Sequence, residues 1–255
     1  MDTDAVLSAF NRQIRQLPEP GSRIEQDGPV IRTVCPGDGW NGVTWSDLDT
    51  DTAAAAIRAQ VDHFAQTSQA WEWKYYSYDQ PTDLPDRLQA AGLTAEPSEA
   101  LLVAEVPELD LQAQPPDGVE LVRVADEQTT AAYVGVHDRV FGGDHSAIGR
   151  RVLAHLGDQP PTVEAVLALA DGKAVSAGRV ELRHGTEFAS IWGGGTLPQW
   201  RGRGIFRALV AHRARVAADL GFRYLQVDAS DDSRPILKRL GFVELATTTP
   251  YLHTP

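Results

Sequence analysis

Cysteine is almost missing from this chain: Cys35 is the only one in 255 residues. No internal disulfide can form, and no cysteine-based metal cluster. The seven histidines show no metal-ligand spacing, so no metal is expected. Long apolar runs are also lacking. None approaches the roughly 18 residues that a membrane-spanning helix needs, so no membrane contact is expected. The start, Met1-Asp-Thr-Asp4, is acidic where a secretory leader would be basic. Basic residues are scarce: 23 Lys and Arg face 35 Asp and Glu, a net charge of −12. The shortfall is local. Residues 1–112 hold 7 basic and 19 acidic side chains, and residues 113–255 hold 16 of each. Nucleic acid is not expected as a partner, because phosphate binding needs a net basic surface. The acidic excess reads as a solvated surface that keeps the protein soluble. With 42% apolar and 23% charged residues the chain can fill a core. A cytoplasmic enzyme of one large or two small domains is the expectation.

The richest stretch is 186–210. A strand, Phe188–Thr196, ends in the glycine run Gly193-Gly194-Gly195. A turn containing Pro198 follows, then Arg201-Gly202-Arg203-Gly204, then a helix. Ile205, Leu209, Val216 and Leu220 are spaced by four, seven and four, one helical face. A glycine loop feeding a helix N-terminus suits an anion. Free N–H groups point outward, the helix dipole favours negative charge, and glycine lets a phosphate come close. Arg201, Arg203 and Arg207 add positive charge there. A dinucleotide fingerprint would need a third glycine, but Ala208 and Leu209 follow Arg207. The Gly-Lys-Ser/Thr of a nucleotide-triphosphate loop is absent too.

In chain order, residues 3–17 read as a helix stopped by Leu17-Pro-Glu-Pro-Gly21. Arg23–Gln26 and Val30–Cys35 read as a hairpin, Pro36–Gly42 as a loop and Val43–Trp45 as a strand. A helix from about Thr52 carries Ile57, Val61 and Phe64 on one face. Trp71–Tyr78 and Leu101–Val106 read as strands. Leu109–Gly118 is polar and rich in Pro and Gly, a linker. Val119–Val124 is a strand, Asp126 caps a helix ending near Phe141, and Ala147–Leu156 is a second helix. Thr162–Ala170 and Ala174–Leu182 flank Asp171-Gly-Lys173, a hairpin. The strand Tyr224–Val227 precedes a last helix and strand. One pattern occurs twice. Asp83-Leu-Pro85 … Gly92-Leu93 and Ser233-Arg-Pro235 … Gly241-Phe242 each give a capping residue, a Pro in the first turn, a short helix, then Gly and an apolar residue entering a strand.

The 186–210 stretch, with the order of elements after it, resembles the phosphate loop of the GNAT superfamily of acyl-CoA N-acyltransferases. Its pattern is Arg/Gln-x-x-Gly-x-Gly/Ala after Pro-x-aromatic. Gln199-x-x-Gly202-x-Gly204 fits the letters. Arg201-x-x-Gly204-x-Phe206 fits the spacing from Pro198 and Trp200 and is preferred, with Phe206 in place of the last Gly or Ala. The resemblance implies an α/β (α+β mixed sheet) fold in two copies. Residues 1–112 would be a degenerate GNAT-like domain with no cofactor site, and residues 113–255 the complete catalytic domain. Where the second copy has arginines and glycines, the first has Asp47, Asp49 and Asp51, which would repel a pyrophosphate.

The same resemblance implies acetyl-CoA as co-substrate. It would be held by Gly194, Gly195, Thr196, Arg201, Gly202, Arg203, Gly204, Ile205, Phe206 and Arg207. The pantetheine would lie along Gly194-Gly195-Thr196, where glycines leave room, and an N–H there would polarise the thioester carbonyl. Asp228, at the end of Tyr224–Asp228, is the expected proton acceptor, with capping of the next loop as the plainer reading. Glu181 and Glu187 are weaker candidates. The family's thiolate proton donor, a Tyr, falls on Leu237, leaving Tyr251 and Ser233 as stand-ins. The acceptor is expected to be a primary amine of a small molecule, and a homodimer is allowed for. The alternative is a non-catalytic acyl-CoA-binding or regulatory protein.

Overall fold

The computed structural model describes residues 1–17, 22–35, 39–66 and 70–254. The expected stop at 18–21 and residues 36–38 of the 36–42 loop lie outside these residues. The chain divides into two compact units. The first takes in Met1–Leu102, Asp228–Ile236 and Glu244–Pro255, and the second Val103–Val227 and Leu237–Val243. The segments beyond residue 227 are thus shared out, where a single cut after residue 112 had been expected.

In the first unit, helix α1 (Thr3–Phe10) is capped by Asp2, whose carboxylate accepts the Ala5 N–H at 3.1 Å. It runs into a π-helical turn, Asn11–Arg15. A hairpin follows, β1 (Arg23–Asp27) and β2 (Val30–Val34). Strand β3 (Gly42–Ser46) pairs antiparallel with β2 and parallel with β4 (Trp71–Tyr76), crossing through helix α2 (Ala53–Ala65). Helix α3 (Leu84–Ala90), the short β5 (Thr94–Ala95) and β6 (Glu99–Glu105) come next, β6 being divided between the units after Leu102. The core gathers Ile57, Phe64, Trp71, Trp73, Leu84, Leu88 and Tyr251. Arg15 is buried, with two nitrogens on the two Asp79 oxygens at 2.8 Å each. Its guanidinium lies 4.1 Å from the Tyr76 ring centre.

The second unit has β7 (Val119–Arg123), α4 (Glu127–Phe141), α5 (Ser146–His155), β8 (Val163–Ala170), β9 (Lys173–Leu182), β10 (Phe188–Thr196), α6 (Ile205–Asp219) and parts of β11 (Tyr224–Ala229) and α7 (Arg234–Arg239), which are divided between the units after Val227 and Ile236; the strand order is β6-β11-β10-β9-β8-β7. Asp126 caps α4, accepting the Thr129 N–H at 2.8 Å. Alternate residues of β8 go to opposite faces, as a strand dictates. Ala165 and Leu167 pack with Tyr133, Val136 and Val152 of α4 and α5. Val166 and Ala168 pack with Ile205 and Leu209 of α6. The buried stripe of α6 departs from the expected one. Val216 is only half-buried and Leu220 is exposed. Ala208, Ala211, Ala214 and Ala217 are buried instead, small side chains that let the helix approach closely, and so is the large Arg213. The segment read as a linker is anchored: Leu109 and Ala113 are buried, and Arg215 donates to the Leu111 carbonyl at 2.5 Å.

The last strand, β12 (Val243–His253), pairs antiparallel with β4 and β5. The repeated pattern found in the sequence is a repeated geometry. After α3, the Gly92 N–H bonds to the Gln89 carbonyl and the Leu93 N–H to that of Leu88. After α7, Gly241 bonds to Lys238 and Phe242 to Leu237 in the same way. Gly92 and Gly241 have φ of +95° and +104°, as a left-handed helix end requires.

Candidate active site

Two strands that start together and part make the centre of the second unit. β10 and β11 run parallel, with Phe188, Ala189 and Ser190 opposite Tyr224, Leu225 and Gln226. Their register ends there, and the Gln226 amide bonds to the Ser190 hydroxyl at 2.5 Å. Beyond that point β10 continues to Thr196, held on its other edge by β9. A bulge interrupts that ladder between Trp192 and Gly195, and Gly193 has a φ of +60°. Residues 191–196 thus have one edge bonded to β9 and none of the β11 register.

The glycine run was read as clearing space for a ligand. The structure gives it another reason. A Cβ on Gly193 would overlap the His137 Nε2 of α4. One on Gly194 would sit 2.9 Å from the Phe206 ring, and one on Gly195 2.8 Å from Val140. The chain's own side chains press on both faces of the run, so only the strand edge is left for a ligand. The same contact accounts for Phe206 at the last position of the loop pattern. Thr196 is fixed on both sides. Its hydroxyl meets that of Ser176 at 2.7 Å, and its carbonyl accepts from Arg201 Nε at 3.0 Å.

The loop after β10 is open. Gly202 and Gly204 have φ of +73° and +83°, and a Cβ on either would meet nothing within 4 Å. Gly204 stands directly ahead of α6, as the preferred register assumes, and no side chain caps the helix. The first backbone bond of α6 is Ala208 N–H to the Gly204 carbonyl, so the N–H groups of Ile205, Phe206 and Arg207 precede the helical ladder. The Ile205 side chain is buried in the core, which leaves its N–H as what it can offer. Arg201, Arg203 and Arg207 are exposed at this end, with Arg203 stacked 4.7 Å from the Trp200 ring centre.

Asp228 is nearly buried, and its Oδ2 lies 3.1 Å from Lys74 Nζ. Its other oxygen has no partner among the described residues. Burial opposes the Lys74 charge, yet Asp228, Glu72 and Glu99 outweigh burial and raise its pKa. Burial raises the Glu99 carboxyl against the pull of Lys74. The weaker candidates are engaged: Glu181 accepts from Arg179 at 2.7 Å, and Glu187 lies 3.4 Å from Arg223. Of the stand-in acids, Tyr251 is buried edge-on against Tyr75, and the Ser233 hydroxyl donates to the Ser230 carbonyl. Leu237 is buried.

The sequence reading missed two groups. Arg213 is buried with its Nε on the Leu209 carbonyl at 3.0 Å and its Nη2 without a partner; burial pushes its pKa down to about 10. His137 is buried against the bulge. Burial, with Arg179 nearby, pushes its pKa down to about 4. Tyr133, His137 and Phe141 fall every fourth residue, a stripe that marks one helix face but not what covers it.

Residues 121–242 match the model of the Acetyltransferase (GNAT) family. This segment belongs to that family, the acyl-CoA N-acyltransferases. No curated protein sequence matches the chain. Solved structures share the fold over nearly the whole length. A GCN5-related N-acetyltransferase from Kribbella flavida is 20% identical, with 99% of this chain and 94% of that one covered and a TM-score of 0.70. One from Sphaerobacter thermophilus is 12% identical, with 98% and 91% covered and a TM-score of 0.61. A tandem GNAT protein from the clavulanic acid biosynthesis pathway is 14% identical, with 99% and 87% covered and a TM-score of 0.59. The chain contains no helix long and apolar enough to cross a membrane among the described residues.

Proposed function

We propose that the protein moves an acetyl group from acetyl-CoA to a primary amine of a small molecule. The observation that carries this is the uncapped start of α6 behind Gly202 and Gly204. Three N–H groups, open glycines and three arginines fit a pyrophosphate. The free edge of β10 from Gly194 to Thr196 fits the amide groups of a pantetheine arm. An N–H of that edge would polarise the thioester carbonyl as negative charge gathers on its oxygen.

The first unit would bind no acetyl-CoA. Its counterpart helix α2 begins behind Asp49, whose Oδ1 already accepts the Asp51 and Thr52 N–H groups at 3.0 and 2.8 Å. A carboxylate of the chain itself thus stands just ahead of the helix, where it would repel a pyrophosphate, which supports reading the unit as a degenerate copy. It also holds a cavity of about 600 Å³ lined by Glu72, Glu96, Glu99, Asp231 and Asp232. Such a lining favours a cationic molecule over an anionic one, which supports an amine as the acceptor. Asp228, with one oxygen on Lys74 and the other without a partner, would take the proton that turns an ammonium into a free amine.

Titration calorimetry of the full chain with acetyl-CoA, followed by thiol release with a panel of amines, tests the proposal. One site per chain with amine-dependent release is the expected result. Binding without turnover on any amine would favour the non-catalytic alternative, which draws on the buried Leu237 where the family carries a Tyr. No binding would sink both.

A further inference from the structure

The transfer needs a group that removes a proton from the attacking nitrogen and one that delivers a proton to the departing sulfur. No tyrosine stands at Leu237 to do the second. We propose that His137 does both: its buried, unpartnered Nε2 beside the Gly193 bulge takes the proton from the amine nitrogen and returns it to the thiolate sulfur. This rests on the acetyl-transfer reading above.

The tautomer is set by one contact. His137 Nδ1 lies 3.0 Å from the Tyr133 carbonyl oxygen, which can only accept, so Nδ1 carries the hydrogen. Nε2 is then a lone pair. It has no partner among the described residues. It faces Gly193, where any side chain would collide with it. Gly193 lies three residues past Ser190, the last β10 residue in register with β11, on the stretch whose edge a thioester would use. The outer side of the imidazole is closed by the rings of Phe141 and His145, with centres 5.5 and 5.8 Å away. Gly142 and Gly143, both at positive φ with open space around them, join these two.

The charged neighbours are themselves balanced. On α4 and the turn after it, Asp138 pairs with His145 at 3.0 Å. On β9, Arg179 pairs with Glu181, and the Tyr133 side chain lies near Arg179. Burial and Arg179 disfavour a second proton on the free imidazole, so Nε2 is available at neutral pH. A neutral amine nitrogen bonds to the carbonyl carbon and becomes positively charged, more acidic than the free amine. Its proton passes to Nε2 while Nδ1–H stays on the Tyr133 carbonyl. The carbon–sulfur bond breaks, and the sulfur takes the proton from Nε2. Amide and free thiol leave, and the imidazole is neutral again.

The test uses the full chain and three variants, His137→Asn, His137→Gln and His137→Ala. His137→Asn keeps a donor near the Nδ1 position and lacks Nε2, and His137→Gln lacks the ring. Nitrogen NMR of histidine-labelled protein is expected to show an unprotonated Nε2 and a protonated Nδ1 for His137 at neutral pH. The reverse tautomer would overturn the proposal, whether or not the variants fold. In folded variants acetyl-CoA affinity should stay within about threefold. Turnover with the fastest acceptor among tyramine, spermidine and glucosamine should fall by about 10²-fold or more. Added imidazole should restore part of it in His137→Ala. Folded His137→Asn with acetyl-CoA bound and wild-type turnover would overturn the shuttle alone. A wild-type protein that neither binds nor consumes acetyl-CoA would overturn the acetyl-transfer reading, and the shuttle with it.

Discussion

Gly204→Asp puts one carboxylate at the uncapped start of α6. The backbone there is left-handed at +83°, which costs a non-glycine residue roughly 1–2 kcal/mol. A negative charge ahead of a helix returns about 0.3–1 kcal/mol through the dipole. Open space around the new Cβ adds no clash. The fold should therefore lose no more than about 2 kcal/mol. Binding should suffer more. A carboxylate about 5 Å from a doubly charged pyrophosphate is repelled by about 2 kcal/mol in bulk water and about 7 kcal/mol at an effective dielectric of 20. Acetyl-CoA affinity should drop between about 10-fold and 10⁵-fold, most at low salt. Gly204→Ala carries the same backbone strain without the charge and separates the two terms. Calorimetry of both variants against wild type, at low and high salt, is the assay. A folded Gly204→Asp protein that binds acetyl-CoA within threefold of Gly204→Ala would refute the phosphate-loop argument.

Neutralising Arg203 and Arg207 together should weaken acetyl-CoA binding less than Gly204→Asp, with a difference that fades in high salt; a salt-independent loss would point to packing. Asp228→Asn should lower turnover by about 10²–10⁴-fold at neutral pH, by a factor that shrinks as pH rises and the amine loses its proton unaided. A pH–rate profile checks it, and a flat ratio between variant and wild type would count against Asp228 as the acceptor. His137 contributes a pH dependence to folding. Its pKa is depressed from about 6.5 unfolded to about 4 folded, so its contribution is complete above pH 6.5 and lost as pH falls toward 4. That amounts to about 3 kcal/mol, absent from His137→Phe, and urea titrations at several pH values would show it. Arg15→Ala should cost about 3–5 kcal/mol in chemical denaturation, because it leaves the Asp79 carboxylate buried without its partner.

The loop at 201–207 was legible because its chemistry is local. Glycines, arginines and a helix start within seven residues state an anion site without reference to the rest of the chain. Helices and strands were legible for the same reason, since hydrophobic period and caps act over a few residues. The rest depends on distant partners. Nothing near His137 says that it is buried, and nothing near Gly193 says that an imidazole from α4 fills its side-chain space. The glycine run was noticed, but its cause lies in His137 and Val140 before it and Phe206 after it, on both faces of the strand. Arg213 gives no sign in sequence of being buried, because arginine in a helix is usually at the surface. Asp228 was found by its place at a strand end; its partner, Lys74, could not be.

The pairing of β12 with β4 has a consequence for how the protein is made. Thr248 bonds to Tyr75 across 173 residues of chain. On a ribosome, β4 has no β12 beside it until residues 248–253 have been made. The unit translated first is therefore completed last, against the usual N-terminal-first order. The other unit, whose final residue is Val243, has its whole complement of chain earlier. Throughout that interval an aromatic strand edge waits unpaired, open to the wrong strand from a neighbouring nascent chain. Translation speed between β4 and β12, and the chaperones present, thus bear on the yield of folded protein more than the order of domains in the sequence would suggest.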